Sequence, residues 1–251
     1  MENNIQVDSK TEFDPAKILY EKVDIKAGNI SANTAIYKKG SKFPFYFNLH
    51  GNEKTSVEAV KKIISDNEGT LVELNTNGER LVRFSINNNS YSFDPNRIFT
   101  PLGIQKTLKK YDSFTPETEK EVNEFAERII NDFLTDVKII IAVHNNTDGN
   151  YSILSYEDGG EFEKDSAQVY VNPDKNTDDF FLVTNETVFQ SLKQRKFNVI
   201  LQDNNNVTDD GSLSVYCAKN NILYINVESE HNYLDEQIIM LQNLKEVIPN
   251  L

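Results

Sequence analysis

The chain has 251 residues, enough for one sizeable α/β domain around a single core, and its 38% hydrophobic and 26% charged residues give a soluble globular composition. A net charge of −13, from 26 basic and 39 acidic residues, argues against nonspecific nucleic acid binding, which needs a basic surface, while leaving room for a local basic pocket. The single cysteine, Cys217, excludes an intrachain disulfide and a cysteine-based zinc cluster, and the longest apolar runs, such as residues 139–143, are far short of a membrane span.

The opening Met-Glu-Asn-Asn-Ile-Gln is polar and acidic, without the basic segment and apolar core of a signal peptide. An exported chain lacking its leader would read the same. Residues 1–15 read as a loose tail and 16–251 as a single domain. Residues 43–49 are aromatic-rich and read as a strand. Val57, Val60, Ile63 and Ile64 then recur at helical spacing over 56–65, and 69–74 read as a strand. Asn87-Asn88-Asn89 and Asn204-Asn205-Asn206 mark turns.

Thr115-Pro116 looks like a helix start, with Val122, Phe125, Ile129 and Phe133 on one face of a helix running to about Leu134. The β-branched run 137–143 suits a strand buried on both faces. A strand at 180–184, a helix at 186–193 and a strand at 198–202 continue the alternation. Gly211-Ser212 opens another helix, in which Cys217 reads as a small packed side chain. A strand at 222–227 and an amphipathic helix at 234–247 close the chain. The order implies a mostly parallel or mixed central sheet with helices on both faces, and a ligand site at the carboxyl ends of its strands.

Two of the three histidines, His50 and His144, end apolar strands, and the third is His231. Neighbouring parallel strands would bring both imidazoles to one point. Glu53, three residues after His50, could join them, and two histidines, a glutamate and a water make a tetrahedral zinc site with one open position. Taken alone, H-x-x-E is short and common, and a pair of strand-end histidines satisfied by backbone hydrogen bonds is the plainer reading.

The surrounding residues alter that balance. His50-Gly51-Asn52-Glu53 resembles the zinc-ligand motif of the zinc carboxypeptidase superfamily, including its succinylglutamate desuccinylase/aspartoacylase branch. Asp94-Pro95-Asn96-Arg97 resembles the family's D-x-N-R element, His144 its third ligand, and Glu228, ending a late strand, its catalytic glutamate. Together the four span about residues 43–230, in the family's order.

The resemblance implies zinc held by His50, Glu53 and His144. It implies that Asp94 orients the first zinc histidine, that Arg97 with Asn96 binds the substrate carboxylate, and that Glu228 is general base and then acid. Glu230, on the same strand face, is the rival of Glu228, and His231 reads as a rim residue. A second family arginine polarises the scissile carbonyl. Arg83 and Arg80 are the candidates, Arg83 being favoured because residues 84–86 lead from it toward Asp94. Gly211-Ser212 resembles the dipeptide lining the family's specificity pocket, which would put Leu213 against the substrate. The mobile tyrosine of the family has no secure counterpart; Tyr216 is closest in sequence and reads as packing.

The expected activity is therefore zinc-dependent hydrolysis of an amide next to a carboxylate, by a carboxypeptidase or amidase acting on a peptide or peptidoglycan stem-peptide fragment. The alternatives are an N-acyl amino acid deacylase of the aspartoacylase or succinylglutamate desuccinylase type, and a non-catalytic peptide-binding domain of the same fold.

Overall fold

The computed structural model describes residues 17–149 and 151–248, so the expected tail at 1–15 lies outside the described residues. The first elements are strands β1 (Leu19–Ala27) and β2 (Ile30–Lys39), an antiparallel hairpin that the sequence reading left unassigned. Only Ile25 and Ala27 of β1 are fully buried, so the strand carries little of the apolar alternation that marks a strand in sequence.

Strand β3 (Phe45–Asn48), helix α1 (Lys54–Asp66) and strand β4 (Gly69–Asn75) follow as expected. Val57, Val60, Ile63 and Ile64 form the buried face of α1, each contributing about 1.5–3 kcal/mol by burial. Strands β5 (Val82–Ile86) and β6 (Asn89–Phe93) form a separate hairpin. Its turn residues Asn87 and Asn88 have φ of 51° and 66°, a left-handed pair that asparagine tolerates better than most residues.

A 3₁₀ turn at Pro95–Arg97 leads to α2 (Pro101–Lys110), capped by Thr100, and α3 (Pro116–Ile129), capped by Thr115. Alpha-helical geometry gives way to a π turn over Ile130–Leu134. The remaining elements are β7 (Ile139–Asn146), β8 (Ser166–Tyr170), β9 (Phe180–Val183), α4 (Glu186–Gln194), β10 (Val199–Gln202), α5 (Leu213–Lys219), β11 (Leu223–Glu230) and α6 (Leu234–Val247).

Nine strands form one mixed sheet in the order β1-β2-β4-β3-β7-β11-β9-β10-β8. The central run β4-β3-β7-β11 is parallel, and β2 and β9 flank it antiparallel. Helices α1, α4 and α6 cover one face, where Val60, Phe189 and Leu241 meet Ile141, Phe181 and Ile225. On the other face α2, α3 and α5 supply Leu108, Phe125 and Cys217 to a core with Phe47, Ile140 and Tyr224. No helix among the described residues is long and apolar enough to cross a membrane.

Candidate metal centre and active site

The parallel pairing of β3 and β7, with Phe47 opposite Ala142, carries His50 and His144 to the same edge of the sheet. Their rings lie 5.2 Å apart, centre to centre. Between them stands Glu53, reached by a turn in which the Glu53 N–H donates to the His50 carbonyl at 3.1 Å. That turn requires glycine at position 51. A Cβ there would sit 2.6 Å from Thr76 Oγ1 and 2.8 Å from the Thr76 backbone nitrogen.

Glu53 uses both of its oxygens. Oε1 lies 2.8 Å from His50 Nδ1 and Oε2 lies 2.9 Å from His144 Nδ1. One donor atom from each residue falls within 4.8 Å of the others, and all three side chains are buried. Two imidazole nitrogens and a carboxylate in contact at a sheet edge are a donor set that suits a divalent metal.

The electrostatics fit a site built for a cation. Burial opposes a charge on His50, but Glu53 and Asp94 outweigh it and lift the imidazole to about 9. Burial likewise opposes charge on Glu53, yet the two histidines hold its carboxyl well below the ordinary range. His50 Nε2 meets Asp94 Oδ1 at 2.9 Å, which leaves Nδ1 facing Glu53. Asp94 is itself fixed. Its Oδ1 accepts from the Asn96 N–H at 2.9 Å, and its own N–H donates to Thr107 Oγ1 at 3.0 Å. Such an outer carboxylate sets the tautomer and orientation of a metal-binding imidazole.

A cavity of about 400 Å³ opens beside this cluster, lined by His50, Glu53, His144, Arg80, Asn96, Arg97 and Glu228 among others. Glu228 lies opposite His144 in the β11–β7 register and is 5% exposed. Burial raises its carboxyl to about 7, against the opposing pull of His144, and Asn226 Nδ2 donates to its Oε2 at 3.0 Å. Glu230, the rival, lies outside the cavity lining and accepts from Asn176 Nδ2 at 2.6 Å. His231 reaches the lining without joining the metal cluster.

Arg97 is held by donation of Nη1 to the Asn96 carbonyl at 2.7 Å and by Nε against Asp210 Oδ2 at 3.3 Å. Asn96 Oδ1 accepts the Leu213 N–H at 3.0 Å, which ties the 3₁₀ turn to the start of α5. Gly211 allows that contact. Its φ of +79° is left-handed, and a Cβ would meet the Arg97 carbonyl oxygen at 2.5 Å.

Two expectations need correction. Arg83 is exposed on β5 and does not line the cavity. Its neighbours Val82 and Phe84 are core residues at 1% and 2% exposure, so the two-residue period of the strand turns Arg83 outward. Arg80, the other candidate, lies just before the strand and lines the cavity, as Arg97 does. Its Nη1 donates to Glu53 Oε1 at 3.0 Å and its Nη2 to Asp94 Oδ2 at 3.4 Å. Leu213 is likewise outside the cavity. It is fully buried one helical turn from Cys217, so both face the core, while Ser212 and Ser214 form the cavity wall.

Several cavity residues went unassigned in the sequence. Tyr151, Tyr156 and Phe162 form an aromatic wall in the long segment after β7, with the two tyrosine hydroxyls 2.7 Å apart. Burial raises the pKa of both phenols, and burial pushes up the Cys217 thiol as well. The clustering of aromatics soon after His144, in a segment without regular periodicity, is the signal that could have drawn attention to this wall. Tyr216 packs its ring 5.9 Å from Phe99.

No family model matches the chain, and no curated protein matches it. Solved structures do. A candidate metallopeptidase of Shewanella denitrificans is 13% identical over 92% of this chain and 85% of that one, with a TM-score of 0.45. The product-bound ectoine utilization protein EutE (DoeB) of Ruegeria pomeroyi is 11% identical over 92% of this chain and 66% of that one, with a TM-score of 0.48. A succinylglutamate desuccinylase/aspartoacylase of Rhodobacter sphaeroides is 14% identical over 95% of this chain and 68% of that one, with a TM-score of 0.44. These similarities are distant, and the case for chemistry rests on the side chains.

Proposed function

We propose that the protein is a zinc-dependent hydrolase that cleaves an amide bond next to a carboxylate, on a peptide or a peptidoglycan stem-peptide fragment. The observation that carries this reading is the bridging of His50 Nδ1 and His144 Nδ1 by the two oxygens of Glu53. Two histidines and one carboxylate beside an open cavity suit zinc in its catalytic coordination. Zinc, when bound, supplies Lewis-acid polarisation of a carbonyl and lowers the pKa of a water.

The chain's own residues supply the rest. Glu228, raised to about 7, can take a proton from the attacking water near neutral pH and pass it to the departing amine. Arg97 anchors the substrate carboxylate through its planar fork, with Asn96 beside it. Arg80 stands where a cation can polarise the scissile carbonyl.

The test is elemental analysis of protein reconstituted with zinc, followed by turnover on a substrate panel. The panel holds peptides with free and amidated C-termini, stem-peptide fragments, and N-acylated aspartate, glutamate and succinylglutamate. Zinc at one per chain, lost in Glu53→Gln, with turnover only where the carboxylate is free, is the expected result. Turnover confined to the acylated amino acids would reassign the substrate to the deacylase class. A chain that takes up no zinc yet binds peptide would be a binding module, and the hydrolase reading would fall.

A further inference from the structure

Behind the metal cluster lies a buried set of polar side chains that the proposed chemistry does not use. Helix α1 begins at Lys54, so Glu53 occupies its N-cap position, where a side chain would ordinarily accept an N–H of the first turn. Glu53 makes no such bond, because both of its oxygens face the histidines. The uncapped N–H of Ser56 is taken instead by Asn145 Oδ1 at 2.8 Å, from the residue that follows His144 on β7.

Asn145 is 4% exposed, and its amide nitrogen is also committed. It donates to the Ser229 carbonyl of β11 at 3.2 Å and to Gln237 Oε1 of α6 at 2.9 Å. Gln237 is fully buried and returns its own Nε2 to the His144 carbonyl at 3.0 Å. Ser56 completes the connection, donating its hydroxyl to the Glu53 carbonyl at 2.8 Å. One amide pair therefore holds the backbone of His144 on one side and the first turn carrying Glu53 on the other.

We infer that Asn145 and Gln237 are positioning residues for the metal centre, fixing the separation between Glu53 and His144 and so setting metal affinity. The inference rests on the zinc reading above. Burying two carboxamides is costly unless their bonds are made, and here, besides one bond to the Ser229 carbonyl, they run to the two segments that carry Glu53 and His144. Loosening either link lets the helix start and the strand end drift apart, and a misplaced ligand costs affinity directly.

The experiment is a chelator-competition titration of Zn²⁺ against wild type, Asn145→Ala and Gln237→Met, with thermal unfolding of each metal-free protein. Leu192→Ala, a fully buried change in α4, serves as a control for general loss of stability. The expected result is a rise in Zn²⁺ Kd of about 10–100-fold in both amide variants, and no change in the control despite a lower Tm. Gln237→Met keeps side-chain length and holds the decision if Asn145→Ala does not fold. Zn²⁺ Kd values within twofold of wild type in the folded variants, or a control that weakens Zn²⁺ equally, would overturn the inference. Wild type that binds no Zn²⁺ would instead overturn the hydrolase reading itself, and this one with it.

Discussion

Replacing Glu228 by glutamine tests both the electrostatics and the chemistry of the site. The carboxyl is 5% exposed, and burial lifts it from the usual 4.5 to about 7. Between those values the folded metal-free protein keeps a proton on Glu228 that the unfolded chain has released. Stability therefore falls as pH rises through this window and stays reduced above it. At about 1.4 kcal/mol per pH unit, the span from 4.5 to 7 amounts to roughly 3 kcal/mol.

Glutamine has the same shape without the charge, and its side-chain oxygen can still accept from Asn226 Nδ2. Metal-free Glu228→Gln should thus exceed wild type by about 3 kcal/mol at pH 8, or roughly 6–12 °C in Tm for a domain of this size. At pH 4.5 the two should unfold together. Calorimetry of chelator-treated protein at the two pH values reads the difference. Zinc should shrink the gap, since a nearby cation favours the carboxylate. Turnover, by contrast, should fall by about 10²–10⁴-fold with zinc retained. A Tm gain that is the same at pH 4.5 and 8 would refute the burial argument, and unchanged turnover would remove Glu228 from the reaction.

The two arginines should separate cleanly. Arg80→Ala should cost roughly 10²–10³-fold in kcat, whereas Arg83→Ala, on the exposed face of β5, should stay within twofold of wild type in the same assay. Asp94→Asn should weaken Zn²⁺ binding by about 10–100-fold, read by chelator competition, because the carboxylate that orients His50 becomes an amide. Zinc uptake should also release at least about one proton at pH 7, from His50, with a further fraction from Glu228. His50 sits near 9 in the metal-free protein, so its imidazole is charged until a metal displaces the proton. Titration calorimetry in buffers of differing ionisation enthalpy counts that proton, and Zn²⁺ affinity should weaken as pH falls below 9.

Much of the central sheet was legible because its residues leave little choice. The run ending in His144 is buried along its whole length, which fits only a strand with helices on both sides. The hairpin β1–β2 was invisible for the opposite reason: an edge strand with one wet face can carry Glu21, Lys22 and Asp24 among its residues, and its alternation is lost among them. That His50, Glu53 and His144 come together was readable because each follows a recognisable strand or turn. Arg83 was favoured over Arg80 wrongly because a one-residue count on β5 decides which way an arginine on it points, and that parity depends on where the strand begins. Leu213 failed in the same way on a helix, where the residues on either side line the cavity and the leucine does not. Tyr151 and Tyr156 lie in irregular backbone, whose path no periodicity gives.

The cluster of His50, Glu53 and His144 also shows a local helix preference set aside. A glutamate at the N-cap could accept from its own first turn, yet Glu53 turns both oxygens to the histidines. Losing a cap costs about 0.5–2 kcal/mol, and the protein offsets it across the fold, with an asparagine adjacent in sequence to His144. The same bond that satisfies the helix thereby couples the segments of Glu53 and His144 through residues 89 apart. A departure from local preference that is repaired by a contact of such long range is the mark of a site rather than of scaffold. It also explains why Asn145 could not be singled out from sequence, where it is only one more polar residue at the end of a strand.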